Sequence, residues 1–102
     1  METTQEVLER RYRSRALSRR YAKDHARHAA SKARPEEAAE YSEQAAQHLG
    51  ALGEITKIAR DLGISLDTYD LNEQAKAKHD EIEEALAKGA SRVFEATRPE
   101  GA

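Results

Sequence analysis

The sequence contains no cysteine and no tryptophan. The absence of cysteine excludes disulfides, thiolate nucleophiles and thiolate metal sites, and it fits a reducing compartment. No apolar run approaches the roughly 20 residues that a membrane span requires, and the charged N-terminus lacks the apolar segment of a secretory signal. We therefore expect a cytoplasmic chain with no membrane partner.

Bulky apolar side chains are also scarce, because alanine makes up the largest part of the 38% hydrophobic fraction. A chain of 102 residues is one domain at most, and this one has little material for a core. Small domains with thin cores often gain stability by association. The composition therefore predicts a homo-oligomer.

Three segments repeat apolar residues at helical spacing, and no run alternates as a strand does. The first begins at Thr3 or Thr4, because Thr3 and Glu6 have the spacing of a capping box, and it stops before Pro35. Gly63 is placed to end the second. Asp70 and Glu73 offer another capping box for the third. The predicted helices cover about 4–33, 36–62 and 70–97.

These segments indicate an all-α protein, an antiparallel bundle of three long helices that self-associates. Short connections favour antiparallel neighbours. The bundle would occupy residues 1–98 as a single domain, and residues 99–102 would form a disordered tail.

A ladder of five cations, each four residues from the next, marks the first helix. Like charges at this spacing cost about 0.2–0.5 kcal/mol per pair on an isolated helix, so the ladder needs a compensating anion. Either the acidic remainder of the chain or a partner supplies it. Residues 1–34 carry ten cations and four acids, whereas the rest carries seven and fifteen. The predicted partner-binding residues are this ladder and two neighbouring tyrosines: Arg11, Arg15, Arg19, Lys23, Arg27, Tyr12 and Tyr21.

One local pattern lies within residues 55–72, where alanine, glycine, serine and threonine occur at the spacing of a helix-turn-helix. The matching residues are Ala59, Gly63, Ser65 and Thr68. The segment resembles the turn region of bacterial helix-turn-helix DNA-binding proteins, which implies a DNA-binding regulator. The helix that would read DNA carries Asp67, Asp70 and Glu73, which departs from the basic surface that DNA requires. The same residues are also typical of an ordinary helix end.

Histidines from all three predicted helices are the candidate metal ligands: His25, His28, His48 and His79. Converging imidazoles can bind zinc or act as a protonation switch near neutral pH. However, the sequence has neither an HExxH motif nor a Glu-x-x-His pair. We therefore expect no metal centre and no cofactor.

Catalysis has no motif in this chain: there is no nucleophile motif and no glycine-rich phosphate loop. The sequence instead favours a non-catalytic binding or adaptor protein, of bacterial or phage origin, that acts through protein–protein interaction and oligomerisation. The alternative is a DNA-binding transcriptional regulator that uses the helix-turn-helix-like segment and the basic helix. The sequence leaves the identity of the partner and the number of subunits open.

Overall fold

The computed structural model describes the backbone of residues 1–97 and the side chains of residues 1–89. It contains three helices: α1 (Thr4–Ser31), α2 (Pro35–Asp61) and α3 (Thr68–Thr97). Within residues 1–97 there is no strand, which confirms the all-α class. The tail predicted at 99–102 lies outside the described residues.

Side chains near each helix start explain where the helices begin. The Thr3 hydroxyl accepts a hydrogen bond from the Glu6 amide at 3.1 Å, as its capping spacing predicts. Pro35 occupies the first position of α2, where its missing N–H costs nothing. The Asp67 carboxylate accepts from the Asp70 amide at 3.0 Å, so Asp67 caps α3. The predicted cap at Asp70 is therefore wrong, and α3 begins two residues earlier.

Left-handed residues close the C-terminal ends of α1 and α2. Gly63 has φ +72°, and the next amide, that of Ile64, donates to the Ala59 carbonyl at 2.8 Å. Ala33 adopts the same region with φ +54°, and Arg34 N–H donates to the Ala29 carbonyl at 2.9 Å. Because Ala33 turns the chain, α1 ends at Ser31 rather than at residue 33.

The apolar core lies at one end of the molecule, where α1 and α3 begin and α2 ends. It is built from eight buried side chains, with Ile64 and Leu66 packed against them: Leu8, Tyr12, Ala16, Leu52, Ile55, Ala59, Leu71 and Ala75. Helix α1 packs against both α2 and α3. In the described part of the chain, no Cα atom of α2 comes within 8 Å of a Cα atom of α3. Helix α1 therefore holds the other two helices together.

This arrangement leaves the protein extended. Its Cα radius of gyration is 18.1 Å, compared with about 13 Å for a compact domain of this length. Its accessible surface is 7661 Å², whereas a typical monomer of this mass exposes about 5,800 Å². Among the helices described, none is long and apolar enough to cross a membrane.

Candidate functional site: a basic groove over the first helix

The cationic ladder winds around α1 and does not follow a straight line along it. An α-helix has 3.6 residues per turn, so each step of four residues advances by about 40°, and the ladder turns by about 160° in total. Arg11 and Arg15 lie on the outer side of the α1–α2 contact, beside Glu54. Arg19 and Lys23, further along, lie in the space between α2 and α3.

That space forms a continuous surface, here termed the basic groove. Its floor is four cations of α1, and its walls come from α2 and α3: Arg19, Arg20, Lys23 and Arg27, with Leu49 and Leu52 on one side and Asn72, His79 and Asp80 on the other. The deeper part has a volume of about 260 Å³. Along α2 the groove continues past Ala45 and Ala46, where its lining is largely apolar.

The sequence of α1 explains why the helices separate here. Leu8, Tyr12 and Ala16 fill the inward face of α1 at its beginning. Further along, Arg19 and Lys23 reach the equivalent inward side. Burying a cation without a partner costs far more than burying a leucine gains, so this part of α1 cannot be covered by a dry interface. The groove therefore begins where the apolar stripe gives way to cations.

Most of the ladder is without an acidic partner. Within residues 1–89, its single ion pair joins Arg27 to Asp24 at 3.6 Å, an exposed contact on the same helix. Arg15 donates to Nδ1 of His48 at 3.3 Å. No described carboxylate lies within 4 Å of the charged nitrogens of Arg19 or Lys23. In this region, the acids of α2 and α3 do not neutralise the ladder.

A histidine contact joins α3 to α1 at the edge of the groove. Nε2 of His79 lies 2.5 Å from Oδ2 of Asp24 and 3.9 Å from Oε1 of Glu83. The ring of Tyr21 packs against His79 with centroids 5.0 Å apart. The Tyr21 hydroxyl is buried with no hydrogen-bond partner in the described region. Burial raises the pKa of Tyr21, and the nearby carboxylates of Glu83 and Asp24 raise it further.

The four histidines are not brought together. His25 stacks on Tyr41 with ring centroids 5.0 Å apart, His48 contacts Arg15, and the side chain of His28 is exposed. Only His79 joins possible metal ligands, because ligand atoms of Asp24, His79 and Glu83 lie within 4.8 Å of one another. Sequence reasoning missed both carboxylates, although Glu83 stands four residues after His79 and Asp24 is the single acid between Glu9 and Glu36.

The two tyrosines predicted to bind a partner lie inside the helix contacts. Tyr12 is 5% exposed, and its hydroxyl accepts a hydrogen bond from the Asn72 amide at 3.1 Å. Tyr21 is half-buried against His79. Both residues therefore position α3 on α1, which leaves the cations as the exposed part of the predicted binding set.

The residues of the helix-turn-helix-like segment end one helix and begin the next. Ala59 is buried in the core, Gly63 turns the chain, Ser65 is exposed and Thr68 is the first residue of α3. Helix-turn-helix proteins join their helices by a turn of three or four residues, whereas six residues, 62–67, separate α2 from α3. DNA binding by this segment stays a prediction.

Comparisons of the chain with protein-family models, with curated proteins and with solved structures found no match. The function is therefore argued from the groove itself.

Proposed function

We propose that this chain is a non-catalytic, cytoplasmic binding or adaptor protein that acts through protein–protein interaction and oligomerisation. The basic groove is its binding surface. The observation that carries the proposal is the placement of Arg19 and Lys23, which face the groove with no described carboxylate within 4 Å. Their charge is available to a partner.

The walls of the groove define the chemistry of that partner. Leu49 borders the groove and is 52% exposed, an unusual position for a leucine beside cations. An acidic amphipathic helix would place carboxylates over the floor and apolar side chains against Leu49 and Ala45. Grooves between helices commonly bind helices in this way, and arginine is enriched among the residues that dominate interface affinity.

The proposal includes an antiparallel arrangement and self-association. Contacts between Arg15 and His48 and between His25 and Tyr41 support α2 running opposite to α1, because the earlier residue of α1 meets the later residue of α2. Eleven apolar side chains are buried among the residues described, and six of them are alanines. This thin core and the excess exposed surface support association.

A DNA-binding regulator is the second candidate, and the exposure of Arg11 and Arg15 favours it. These two arginines are free of described acidic partners and able to contact phosphates. Two features count against it. The ladder turns by about 160° along α1, so its five cations do not share one face, and the tyrosines that would stack on bases are internal.

Binding of two probes to purified protein tests the proposal: an acidic amphipathic helical peptide and a DNA duplex. We expect micromolar peptide binding that Arg19→Glu with Lys23→Glu abolishes. The matched control is Lys57→Glu with Arg60→Glu, which makes the same charge change on an exposed part of α2. The control variant should bind the peptide nearly as well as the unmodified protein.

Salt dependence separates the two candidates. If all five ladder cations contact phosphates, log affinity for DNA should fall with log salt at a slope of about −4 to −5, and each cation removed should lessen the slope by roughly one. Tight duplex binding of this kind, with no peptide binding, would overturn the protein-partner proposal. In the source organism, we expect the partner to co-purify equally well after nuclease treatment.

A further inference from the structure

We infer that the occupant of the basic groove is a second copy of this chain, which inserts residues 81–88 of its α3. These residues are termed the acidic segment. This inference rests on the proposed function, because it names the partner of the same groove.

The acidic segment has the chemistry that the groove requires. It carries Glu81, Glu83 and Glu84, while Ile82 and Leu86 stand four residues apart and so share one side of the helix. Leu86 is 61% exposed, and every side chain from residue 83 to residue 89 is exposed. Helix α1 of the same chain leaves this acidic amphipathic face uncovered.

Charge and length both match. The four floor cations, less the carboxylates of Asp24 and Asp80, give the groove a net charge of 4 − 2 = +2. The acidic segment, with three glutamates and Lys88, has 1 − 3 = −2. At 1.5 Å per residue, Arg19 to Arg27 spans about 12 Å of α1, and residues 81–88 span about 10 Å.

Continuity of α3 prevents the segment from entering its own groove. Helix α3 runs without interruption from Thr68 to Thr97, and its residues Asn72, His79 and Asp80 already form one wall of that groove. A continuous helix cannot be both the wall and the occupant. A second copy has no such restriction.

Exchange between two copies is reciprocal. In a two-fold dimer, each copy inserts one acidic segment and accepts one, so a single type of contact is made twice. The intrahelical pairs Lys78–Glu81 and Glu84–Lys88 are exposed, and pairs of this kind contribute little stability. Releasing them for the intermolecular contact therefore costs little.

Sedimentation equilibrium of the full chain and of two charge-reversal variants tests the inference. The groove variant is Lys23→Glu with Arg27→Glu, and the segment variant is Glu81→Lys with Glu84→Lys. We expect the unmodified chain to dimerise at micromolar concentration, and each variant alone to dimerise at least ~100-fold more weakly, since like charges then face each other. Lys57→Glu with Arg60→Glu is the control and should dimerise as the unmodified chain does.

Mixing the two variants is the decisive arm. Each variant then offers the other a complementary surface in both contacts, so the mixture should form a heterodimer of near-original affinity. Circular dichroism of each variant alone should show unchanged helicity. If a variant is unfolded, the neutral substitutions Glu81→Gln with Glu84→Gln replace it and should weaken dimerisation at least tenfold.

Several outcomes would overturn the inference: a monomer up to several hundred micromolar, a dimer unaffected by both reversals, or a mixture that stays monomeric. The peptide experiment distinguishes this failure from failure of the proposed function. If the unmodified chain is monomeric but binds the acidic peptide in its groove, the second-copy inference is wrong and the proposed function stands. If the chain neither dimerises nor binds the peptide, both fail.

Discussion

Nε2 of His79 on α3 lies 2.5 Å from Oδ2 of Asp24 on α1, and this contact joins the two helices beyond the apolar core. The last core residues on these helices are Ala16 and Ala75. Past them, cations occupy the inward side of α1, and a polar contact replaces apolar packing. The orientation of α3 along the groove therefore depends on this histidine.

Removing that contact should loosen α3. We expect His79→Ala or Asp24→Asn to lower the free energy of unfolding by about 1 kcal/mol, the low end for a hydrogen bond to a charged group because Asp24 is partly exposed. The melting temperature should fall by about 4–8 °C. His28→Ala, an exposed histidine on the same helix, is the control and should melt as the unmodified chain does.

Tyr21 predicts a specific alkaline instability. The pKa of Tyr21 in the folded protein is raised above its usual value of 10.0 by burial, then by Glu83 and Asp24. Below that value the hydroxyl is neutral in both states, so it adds no pH dependence. Above it, the unfolded chain loses the proton first, and the free energy of unfolding falls as pH rises.

Urea denaturation between pH 8 and pH 11 measures this effect. Tyr21→Phe should show a smaller alkaline loss of stability than the unmodified chain, and equal or greater stability at neutral pH, because it removes an unsatisfied buried hydroxyl. Tyr69→Phe is the control, since Tyr69 is 77% exposed. An alkaline profile for Tyr21→Phe that matches the unmodified chain would contradict the assignment.

The two left-handed helix ends predict substitutions of opposite sign. Gly63→Ala places a β-carbon at φ +72° and should destabilise the protein by about 1 kcal/mol. Ala33→Gly relieves the same strain at φ +54° and should stabilise it by up to about 1 kcal/mol. Gly50→Ala, at an open position inside α2, should also stabilise. Denaturant midpoints of the three variants check these signs.

Chelation should leave the protein unchanged. Asp24 already contacts both His79 and Arg27, and four cations surround it in the groove, so a divalent cation would meet a positive environment. We expect equal melting temperatures with and without EDTA. A fall in melting temperature that one equivalent of zinc restores would instead establish a site at Asp24, His79 and Glu83.

The three helices were predictable from the sequence because apolar periodicity, Pro35 and Gly63 are local signals. The errors at the ends also have local causes. Ala33 adopts a left-handed conformation that alanine disfavours, so composition gave no warning that α1 stops at Ser31. Asp67 and Asp70 were both possible caps, and the hydrogen bond to Asp67 decides between them.

The groove was less predictable because it depends on how the helices pack. The cationic spacing marked Arg19 and Lys23, but the 40° advance per step acquires meaning only when α2 and α3 are placed on either side. Tyr12 seemed available to a partner until Asn72 of α3 was found against its hydroxyl. The pairing of Asp24 with His79 joins residues 55 positions apart, which no periodicity reveals.

Attachment of α3 through α1 alone gives the fold a hierarchy of local opening. Structural units with few buried contacts open at a lower free energy than the whole molecule. Helix α3 has core residues only near its start, Leu71 and Ala75, so it can detach while α1 and α2 remain paired. Backbone amides of α3 beyond Ala75 should accordingly exchange with deuterium well before those of α2 near Ile55. Any ligand that bridges the groove should slow that exchange selectively.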